Sequence, residues 1–232
     1  MSRMFKTPDG QAMKTWNVFT GCKFDCAYCS ARDLALTRLK HLEKYRRGFE
    51  PSFHPGELHR RFRPGEFVLV AYMGDISFAS REVVINILEQ VRKFPETDFL
   101  FCTKNPLTYW YWELHWPDNV YFGATIETNR DYKGSTAPQP WERFRDMQAA
   151  VLKGKRKFIS IEPVMDFDLD MMVSWMLKIQ PEIIEVGADN YGNGLEEPSA
   201  DKSRQLLREL REFCPNVIEK KGLERLLKKT SP

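Results

Sequence analysis

The sequence predicts an α/β protein built on a parallel sheet. Short apolar runs bounded by turn residues alternate with segments of helical periodicity through six or seven units. That alternation is typical of parallel strands joined by crossover helices. No shift in composition marks a linker, and 232 residues can bury one full core, so a single domain over residues 1–232 is expected. The alternation leaves two arrangements open, a doubly wound sheet and a full or partial (β/α) barrel.

Individual elements follow from local patterns. The first strand is predicted at Trp16–Thr20, and a helix is predicted at Ala31–Tyr45 from leucines at mixed helical spacings. Later strands are indicated by continuous apolar runs, and later helices by an apolar face. The later strands are Phe67–Met73, Asp98–Lys104, Val120–Glu127, Lys157–Pro163, Ile183–Ala188 and a weaker Asn216–Lys220. The later helices are one capped by Ser80, then Tyr109–Leu114, Trp141–Leu152, Leu169–Ile179, Ser199–Phe213 and Leu223–Lys229.

Bulk composition narrows the class of protein. A hydrophobic content of 42% and a charged content of 29% are those of a globular protein. The start has no apolar segment of a secretory signal, and no apolar run is long enough for a membrane span, so a cytoplasmic protein is expected. The net charge of +3 names no partner, but residues 32–63 hold nine Lys/Arg against four Asp/Glu. This basic segment is a candidate for phosphate binding.

Three of the five cysteines stand within eight residues, as Cys22-x3-Cys26-x2-Cys29. Thiolates brought so close can bind an iron–sulfur cluster. A four-iron cluster held by three cysteines keeps one iron without a protein ligand, and such an open position is where a substrate or cofactor coordinates. The alternative is a structural zinc site in a non-catalytic scaffold, which needs a fourth ligand. The candidates for that ligand are His41, His54, His59, His115, Cys102 and Cys214.

We call Cys22–Cys29 the cysteine loop. With Tyr28 directly before its last cysteine, this loop resembles the signature of the radical S-adenosylmethionine (SAM) enzymes. The resemblance implies a [4Fe-4S] cluster whose open iron is chelated by SAM, reductive cleavage of SAM to a 5′-deoxyadenosyl radical, and a reductant such as flavodoxin or ferredoxin. It also implies a partial (β/α)6 barrel with the cluster loop after the first strand. Across Trp16–Glu219 the motifs are similar to a compact branch found in phage and prokaryotic genomes and, in places, to the spore photoproduct lyase group.

Polar residues stand where the predicted strands end, which is where a parallel barrel carries its functional groups. Gly74 and Asp75 occupy the place where the family often has Gly-Gly-Glu, so Asp75 would accept from the SAM ammonium, or else serve as a turn carboxylate. Lys104 would pair with the SAM carboxylate or a substrate phosphate, or else remain solvated. By the same resemblance Thr125 or Glu127 would contact the ribose hydroxyls.

The fifth and sixth strands add further candidates for cofactor binding. Ser160 and Glu162 alternate with isoleucines and therefore share a face. A glutamate in so apolar a run is costly unless paired, so Glu162 is either functional or held in a buried ion pair. The resemblance lets the backbone at Gly187 approach the adenine, with Asp189 next to it. Tyr28 would lie against the adenine, or else simply pack on the first helix.

Two questions concern the substrate. Cys102 on the third strand is a candidate hydrogen-atom donor to a substrate radical, or else a buried apolar residue. A nucleic-acid substrate is favoured by the basic segment 32–63, by the lyase similarity, and by a group of terminal lysines. Those lysines are Lys220, Lys221, Lys228 and Lys229. The alternative is a small molecule or peptide enclosed by the loops Asn129–Pro140 and Asp189–Pro198.

Overall fold

The computed structural model describes residues 7, 9–11 and 13–228. The strands are β1 Lys14–Trp16, β2 Phe19–Thr20, β3 Ser52–Phe53, β4 Phe67–Val70, β5 Asp98–Thr103, β6 Val120–Thr125, β7 Lys157–Ile161, β8 Ile183–Val186 and β9 Asn216–Glu219. The α-helices are α1 Ser30–Leu36, α2 Arg81–Val91, α3 Thr108–Tyr111, α4 Pro140–Met147, α5 Leu169–Ile179, α6 Ala200–Phe213 and α7 Glu224–Leu227. Single 3-10 turns lie at Glu43–Tyr45, Pro55–His59, Ile76–Phe78 and Ala150–Leu152.

Seven strands form one parallel sheet in the order β1-β4-β5-β6-β7-β8-β9, curled into a half-barrel. Each strand after β4 pairs with the strand that precedes it in the chain, and the pieces of chain between them supply the helices of the outer layer. The predicted partial barrel of the radical SAM type is confirmed, with the weaker β9 as a seventh strand. Because all strands are parallel, their carboxyl ends meet at one rim.

Side-chain alternation divides the apolar residues into two layers. One set, including Val70, Phe101 and Ile161, packs with the helices. The other set fills the inside of the half-barrel. Its buried members are Met13, Phe67, Leu69, Leu100, Tyr121, Phe158, Ile183 and Ile218. Toward the strand ends the inward positions turn polar, so the floor of the half-barrel is apolar and its mouth carries the chemistry.

The start of the barrel corrects the predicted first strand. β1 ends at Trp16, and the chain then leaves the sheet so that β2 pairs antiparallel with β3. Asn17 marks the change because its side-chain carbonyl accepts a hydrogen bond from Met73 N at 3.0 Å. Val18 O accepts from His54 N at 2.9 Å, which begins the new pairing. The apolar run Trp16–Thr20 therefore serves two sheets rather than one strand.

The helix predicted over Ala31–Tyr45 is also shorter than expected, since α1 ends at Leu36. The hydroxyl of Thr37 donates to Asp33 O at 2.5 Å and competes with continued helical bonding. Leu36 and Leu42 are 49% and 42% exposed, so no continuous apolar face holds a longer helix against the sheet. Leucine content alone did not make an amphipathic pattern.

Most other elements agree with the sequence, and the differences lie at their ends. α5 has the predicted bounds, and Ser80 caps α2 by accepting from Val83 N. β4 stops at Val70 because Ala71 adopts a left-handed φ of 58°. α3 covers only Thr108–Tyr111, and the predicted Trp141–Leu152 is split into α4 and a 3-10 turn. Lys229 lies outside the described residues.

Candidate functional site

The carboxyl ends of the strands surround a cavity of about 220 Å³. Its lining combines the last residues of the cysteine loop with polar positions from six strand ends, β4 to β9. Ten of the predicted site residues meet there: Tyr28, Cys29, Gly74, Asp75, Cys102, Lys104, Thr125, Ser160, Glu162 and Asp189. Positions far apart in the sequence are thus brought to one mouth, as the topology of a parallel barrel requires.

The cysteine loop is joined to the end of β4 through two glycines. Gly21 N donates to Met73 O at 2.9 Å, and Asp75 N donates to Gly21 O at 3.1 Å. A Cβ on Gly74 would lie 2.7 Å from the backbone N and O of Gly21. Gly21 itself adopts a φ of 84°, which favours glycine. Gly74 is therefore required for close backbone approach between the two segments that flank the cavity.

Each cysteine sulfur of the loop has one hydrogen-bonding partner. Cys22 Sγ accepts from Phe24 N at 3.4 Å, and Cys29 Sγ accepts from Arg32 N at 3.3 Å. Cys26 Sγ lies 3.1 Å from Ser135 Oγ, on a distant part of the chain. The three cysteines share one apolar cluster with Phe24 and Ala137, and burial raises the pKa of the Cys22 and Cys29 thiols.

The donor set fits an iron–sulfur cluster in its chemistry. Three soft sulfur ligands lie in one loop, and the N–H and O–H groups around them are of the kind that stabilises cluster sulfur. Within residues 7, 9–11 and 13–228, no group of three or more His, Cys, Asp or Glu side chains is arranged so that it could hold a metal ion. The loop thus supplies the ligand type that an iron–sulfur cluster requires.

A second loop covers the cysteine loop. Ala27 N donates to Gly134 O at 2.8 Å, and Thr136 N donates to Phe24 O at 2.7 Å. Tyr132 packs on Tyr28 with 5.8 Å between ring centroids. We call residues 129–140 the cover loop. The sequence left open that this loop and Asp189–Pro198 enclose a small molecule or peptide. None of the cover-loop residues lines the cavity, and the loop lies on the cysteine loop.

Lys104 lies at the centre of the site. Its ammonium donates to Tyr28 Oη at 2.9 Å and to Thr125 Oγ1 at 3.0 Å, and it forms an ion pair with Glu127. The lysine side chain is only 15% exposed, so the alternative of a freely solvated strand-end lysine is wrong. Lys104 presents a positive charge to the cavity while linking the cysteine loop to β6.

Glu127 lies behind Lys104 and does not line the cavity. Its second oxygen accepts from Arg143 Nη1 at 2.7 Å, and both side chains are 2% exposed. Burial opposes ionisation of Glu127, but the charges of Lys104 and Arg143 outweigh it and lower its pKa to about 2. Sequence reasoning missed Arg143, although a buried glutamate at a strand end required a cationic partner.

Asp75 is buried and heavily hydrogen-bonded. Its Oδ1 accepts from Ser77 N at 3.0 Å, from the Ser77 hydroxyl and from Thr103 Oγ1 at 2.6 Å. Its Oδ2 accepts from Lys104 N at 2.9 Å. Since each carboxylate oxygen has about two lone pairs, Oδ2 is the oxygen with capacity for a ligand donor. Asp75 is thus both a turn carboxylate and a wall of the cavity.

The opposite side of the cavity holds a second ionic cluster. Lys220 pairs with Glu162 and lies 3.4 Å from Glu185. Burial opposes the charge of Lys220, but the two glutamates outweigh it and raise the pKa of the lysine. Of the two roles predicted for Glu162, the structure shows the ion pair, and its partner is Lys220. Lys220 is 4% exposed and cannot belong to a basic surface, which corrects its assignment to one.

Three further predicted positions differ in their surroundings. The Ser160 hydroxyl is buried and has no hydrogen-bond partner in the described part of the chain. A Cβ on Gly187 would lie 2.6 Å from Glu162 Oε1, so the bare side of this glycine accommodates the Glu162 carboxylate. Asp189 accepts from Asn193 N and Nδ2, both at 2.6 Å, and so orders the loop after β8.

Cys102 projects into the half-barrel and lines the cavity near its apolar floor. Burial and the charge of Asp75 raise the pKa of its thiol, so the protonated form is favoured. The opposite residue on β6 is Gly123, which carries no side chain. A Cβ on Gly123 would lie 2.8 Å from Leu100 Cδ1, so the space next to Cys102 on β6 is already filled. A protonated thiol that lines the cavity is chemically able to donate a hydrogen atom, and it is equally able to pack as a small apolar group.

The basic segment is only partly available at the surface. Lys44 is paired with Glu57, and Arg60 donates to Thr15 O. The exposed basic side chains of the segment are Arg38, Lys40, Arg46, Arg47, Arg61 and Arg63. In the part of the chain that the structure describes, no helix combines the length and apolar character needed to cross a bilayer.

These features define a half-barrel of the radical SAM type with a cysteine loop at its mouth. Structures of spore photoproduct lyase, a radical SAM enzyme, share this fold at low identity. Its complex with dinucleoside spore photoproduct matches with a TM-score of 0.60 and 9% identity, over 88% of this chain and 75% of that chain. A doubly substituted form with bound AdoMet and dinucleoside spore photoproduct also matches at 0.60 and 9%, over 92% and 77%.

The chain belongs to the family of proteins of unknown function DUF5131, whose model matches residues 10–190. That match spans the cysteine loop, the cover loop and the strand ends through Asp189. No curated protein matches the chain. The family thus carries no activity with it, and the fold alone is shared with the lyase.

Proposed function

We propose that this protein is a radical SAM enzyme in which Cys22, Cys26 and Cys29 bind a [4Fe-4S] cluster and the adjoining cavity binds SAM. The observation that carries this proposal is that Tyr28 and Cys29 line the same cavity as Lys104 and Asp75. A cofactor in that cavity would contact the cluster loop on one side and the polar strand ends on the other. The likeness in fold to a radical SAM enzyme supports the same proposal.

Cavity charges suit the methionyl end of SAM beside the cysteine loop. Lys104 would attract the carboxylate, since it lines the cavity and its ammonium lies between Tyr28 and Thr125, which line the cavity too. Asp75 Oδ2 would accept a hydrogen bond from the amino group. Gly74 would keep this segment of the backbone close to Gly21 and the cysteine loop. Glu127 would then act indirectly, because it holds Lys104 in place and does not reach the cavity.

The nucleoside end of SAM would extend along the strand ends toward the second ionic cluster. Thr125 and the unpaired hydroxyl of Ser160 suit the ribose, because both line the cavity and a buried hydroxyl gains most from a partner. The aromatic ring of Tyr28 suits the adenine. Glu162 and Asp189 would bound the site at its far side, with Gly187 behind Glu162.

When bound, the cluster would supply the electron that cleaves SAM reductively and starts radical chemistry on a substrate. The chain itself would orient SAM through Lys104 and Asp75 and shield the cysteine loop with the cover loop. Cys102 would return a hydrogen atom to a substrate radical, and its position on the cavity wall supports this role. A reductant such as flavodoxin or ferredoxin would deliver the electron.

We propose a nucleic acid or nucleotide as the substrate class, ahead of a small molecule or peptide. Exposed arginines and lysines of residues 32–63 follow directly after the cysteine loop in the chain. Such groups bind phosphates in a salt-dependent manner. One lyase with this fold is described with a dinucleoside photoproduct bound. The buried Lys220 takes no part in this proposal, whereas Lys221 and Lys228 are exposed.

Production of 5′-deoxyadenosine tests the enzyme proposal. Anaerobically reconstituted protein is reduced with dithionite in the presence of SAM, and the nucleoside is quantified by chromatography. Wild-type protein is expected to form it, and Cys22→Ala to lose it entirely. Cys214→Ala is the matched control, because Cys214 is buried after α6 and outside the loop. Stoichiometric zinc without sulfide, or no cleavage despite a full cluster, would instead support a non-catalytic scaffold.

A further inference from the structure

Among the described side chains, only that of Ser135 forms a hydrogen bond with a cysteine sulfur of the cysteine loop. Its Oγ lies 3.1 Å from Cys26 Sγ, although the two residues are 109 positions apart. Cys22 and Cys29 accept hydrogen bonds from backbone N–H groups two and three residues further along the chain, Phe24 N and Arg32 N. Cys26 instead depends on a side chain that the cover loop delivers, so only this sulfur has a partner that a substitution can remove.

Hydrogen bonding around Ser135 allows two arrangements. The hydroxyl accepts from Ala137 N at 3.0 Å and can donate its single proton either to Phe24 O at 3.1 Å or to Cys26 Sγ. While Cys26 is a thiol, its S–H can donate to Ser135 Oγ and the hydroxyl can donate to Phe24 O. Once Cys26 is a metal-bound thiolate it has no proton, and the hydroxyl can turn its own proton to the sulfur.

A hydroxyl directed at cluster sulfur has a predictable effect. Reduction adds negative charge to the cluster, and a hydrogen bond to its sulfur stabilises that charge. The surrounding cluster of Phe24, Cys26 and Ala137 is buried, so water offers little substitute for a missing donor. From these contacts we infer that Ser135 is a positioning residue that raises the reduction potential of the proposed cluster through its hydrogen bond to Cys26.

This inference rests on the proposed function, because it needs a cluster on Cys22, Cys26 and Cys29. It goes further in assigning a role to the cover loop, which the proposed function uses only to shield the cysteine loop. Thr136 supplies a matched comparison within the same loop. Its hydroxyl donates to Lys23 O at 3.2 Å, so it also fastens the cover loop to the cysteine loop, but it contacts no sulfur.

The test is a redox titration of the reconstituted cluster, followed by electron paramagnetic resonance, in wild-type protein and three variants. Ser135→Ala is expected to shift the potential to more negative values. At a fixed solution potential, the ratio of reduced to oxidised cluster in this variant should fall roughly tenfold, which corresponds to ~59 mV for a one-electron couple. Ser135→Thr, which keeps a hydroxyl, and Thr136→Ala should stay close to wild type. Thermal unfolding of the cluster-free variants checks that each one folds.

Three results would overturn the inference. An unchanged potential in Ser135→Ala with a full cluster would mean that the hydroxyl does not act on the sulfur. An equal shift in Thr136→Ala would assign the effect to cover-loop attachment instead. In both cases wild-type SAM cleavage would still stand. Failure of wild-type protein to assemble any cluster would remove the proposed function and this inference together, so the two failures are distinguishable.

Discussion

At the scale of single residues, the site is controlled by how buried charges are paired. Lys104 faces the cavity because Glu127 holds it from behind, and Arg143 completes the charge balance. A buried ion pair contributes little net stability, but removing one partner leaves an uncompensated charge and is strongly destabilising. The pair therefore serves mainly to hold the Lys104 side chain in one orientation at the cavity wall, where the sequence left both a binding role and a solvated lysine open.

Substitution Glu127→Gln tests this pairing through its pH dependence. The pKa of Glu127 is lowered from 4.5 to about 2, so the unfolded chain takes up this proton at higher pH than the folded protein does. The contribution of Glu127 to the free energy of unfolding is therefore full above pH 4.5 and disappears as pH falls through about 2. At neutral pH we expect Glu127→Gln to lower that free energy by about 3–5 kcal/mol.

Urea unfolding at pH 7, pH 4 and pH 3 measures the effect, and Glu96→Gln is a control at an exposed carboxylate. The gap between wild type and Glu127→Gln should narrow as the pH falls, whereas Glu96→Gln should follow wild type throughout. A gap that stays constant with pH would show that the destabilisation comes from packing rather than from the charge of Glu127.

At the scale of elements, the parallel sheet delivers separate strand ends to one rim, and local contacts then set the details. The bridge between Gly21 and Gly74 fixes the cysteine loop against β4. The cover loop fixes its other side through Phe24 and Ala27. The cysteine loop is thus held by two segments that are remote in sequence, and its shape depends on both.

Substitution Gly74→Ala tests the glycine bridge. The added Cβ would lie 2.7 Å from backbone atoms of Gly21, which cannot move aside as a flexible side chain can. We expect a lower unfolding temperature and the absence of most reconstituted iron, because the cysteine loop is displaced. Gly56→Ala is the control, since a Cβ there meets nothing within 4 Å and its φ is not left-handed. Normal iron content in Gly74→Ala would show that the bridge does not position the cysteine loop.

Much of this element-level picture could be predicted from sequence, and the exceptions have physical causes. The pattern of continuous apolar runs identified the barrel strands, because both faces of these strands are largely apolar. It failed at Trp16–Thr20, where the chain passes from one sheet to the other at Asn17. An apolar pattern does not indicate which strand a segment pairs with. The strand ends were predictable as a site from topology. The cover-loop contact of Ser135 was not, since it joins residues that no local pattern relates.

At the scale of the whole molecule, charge is unevenly distributed. Exposed basic side chains follow the cysteine loop in residues 32–63, and Lys44 and Arg60 are withdrawn from that set by internal contacts. A surface with several uncompensated cations attracts phosphates at long range, and the attraction falls as salt rises. The exposed cations of residues 32–63 are the basis of the proposed polyanionic substrate.

Electrophoretic mobility shifts with single-stranded and duplex DNA across a salt series test this distribution. Binding is expected to weaken steeply with salt. In the triple variant Arg38→Ala, Lys40→Ala, Arg47→Ala, the slope of log binding constant against log salt concentration should fall in magnitude by about 1 for each phosphate that the protein no longer neutralises. A control triple at exposed Lys153, Lys155 and Lys178 should leave the slope unchanged. Absence of binding at low salt would remove the nucleic-acid substrate and favour a small molecule or peptide.

The central claim is that three cysteines bind a four-iron cluster and leave one iron open to SAM. Mössbauer spectroscopy of anaerobically reconstituted, iron-57-labelled protein, recorded with and without SAM, tests it most directly. We predict a cubane signal in which one iron of the four changes its environment when SAM is added. Protein without iron, or a cluster whose four irons all stay the same on addition of SAM, would contradict it.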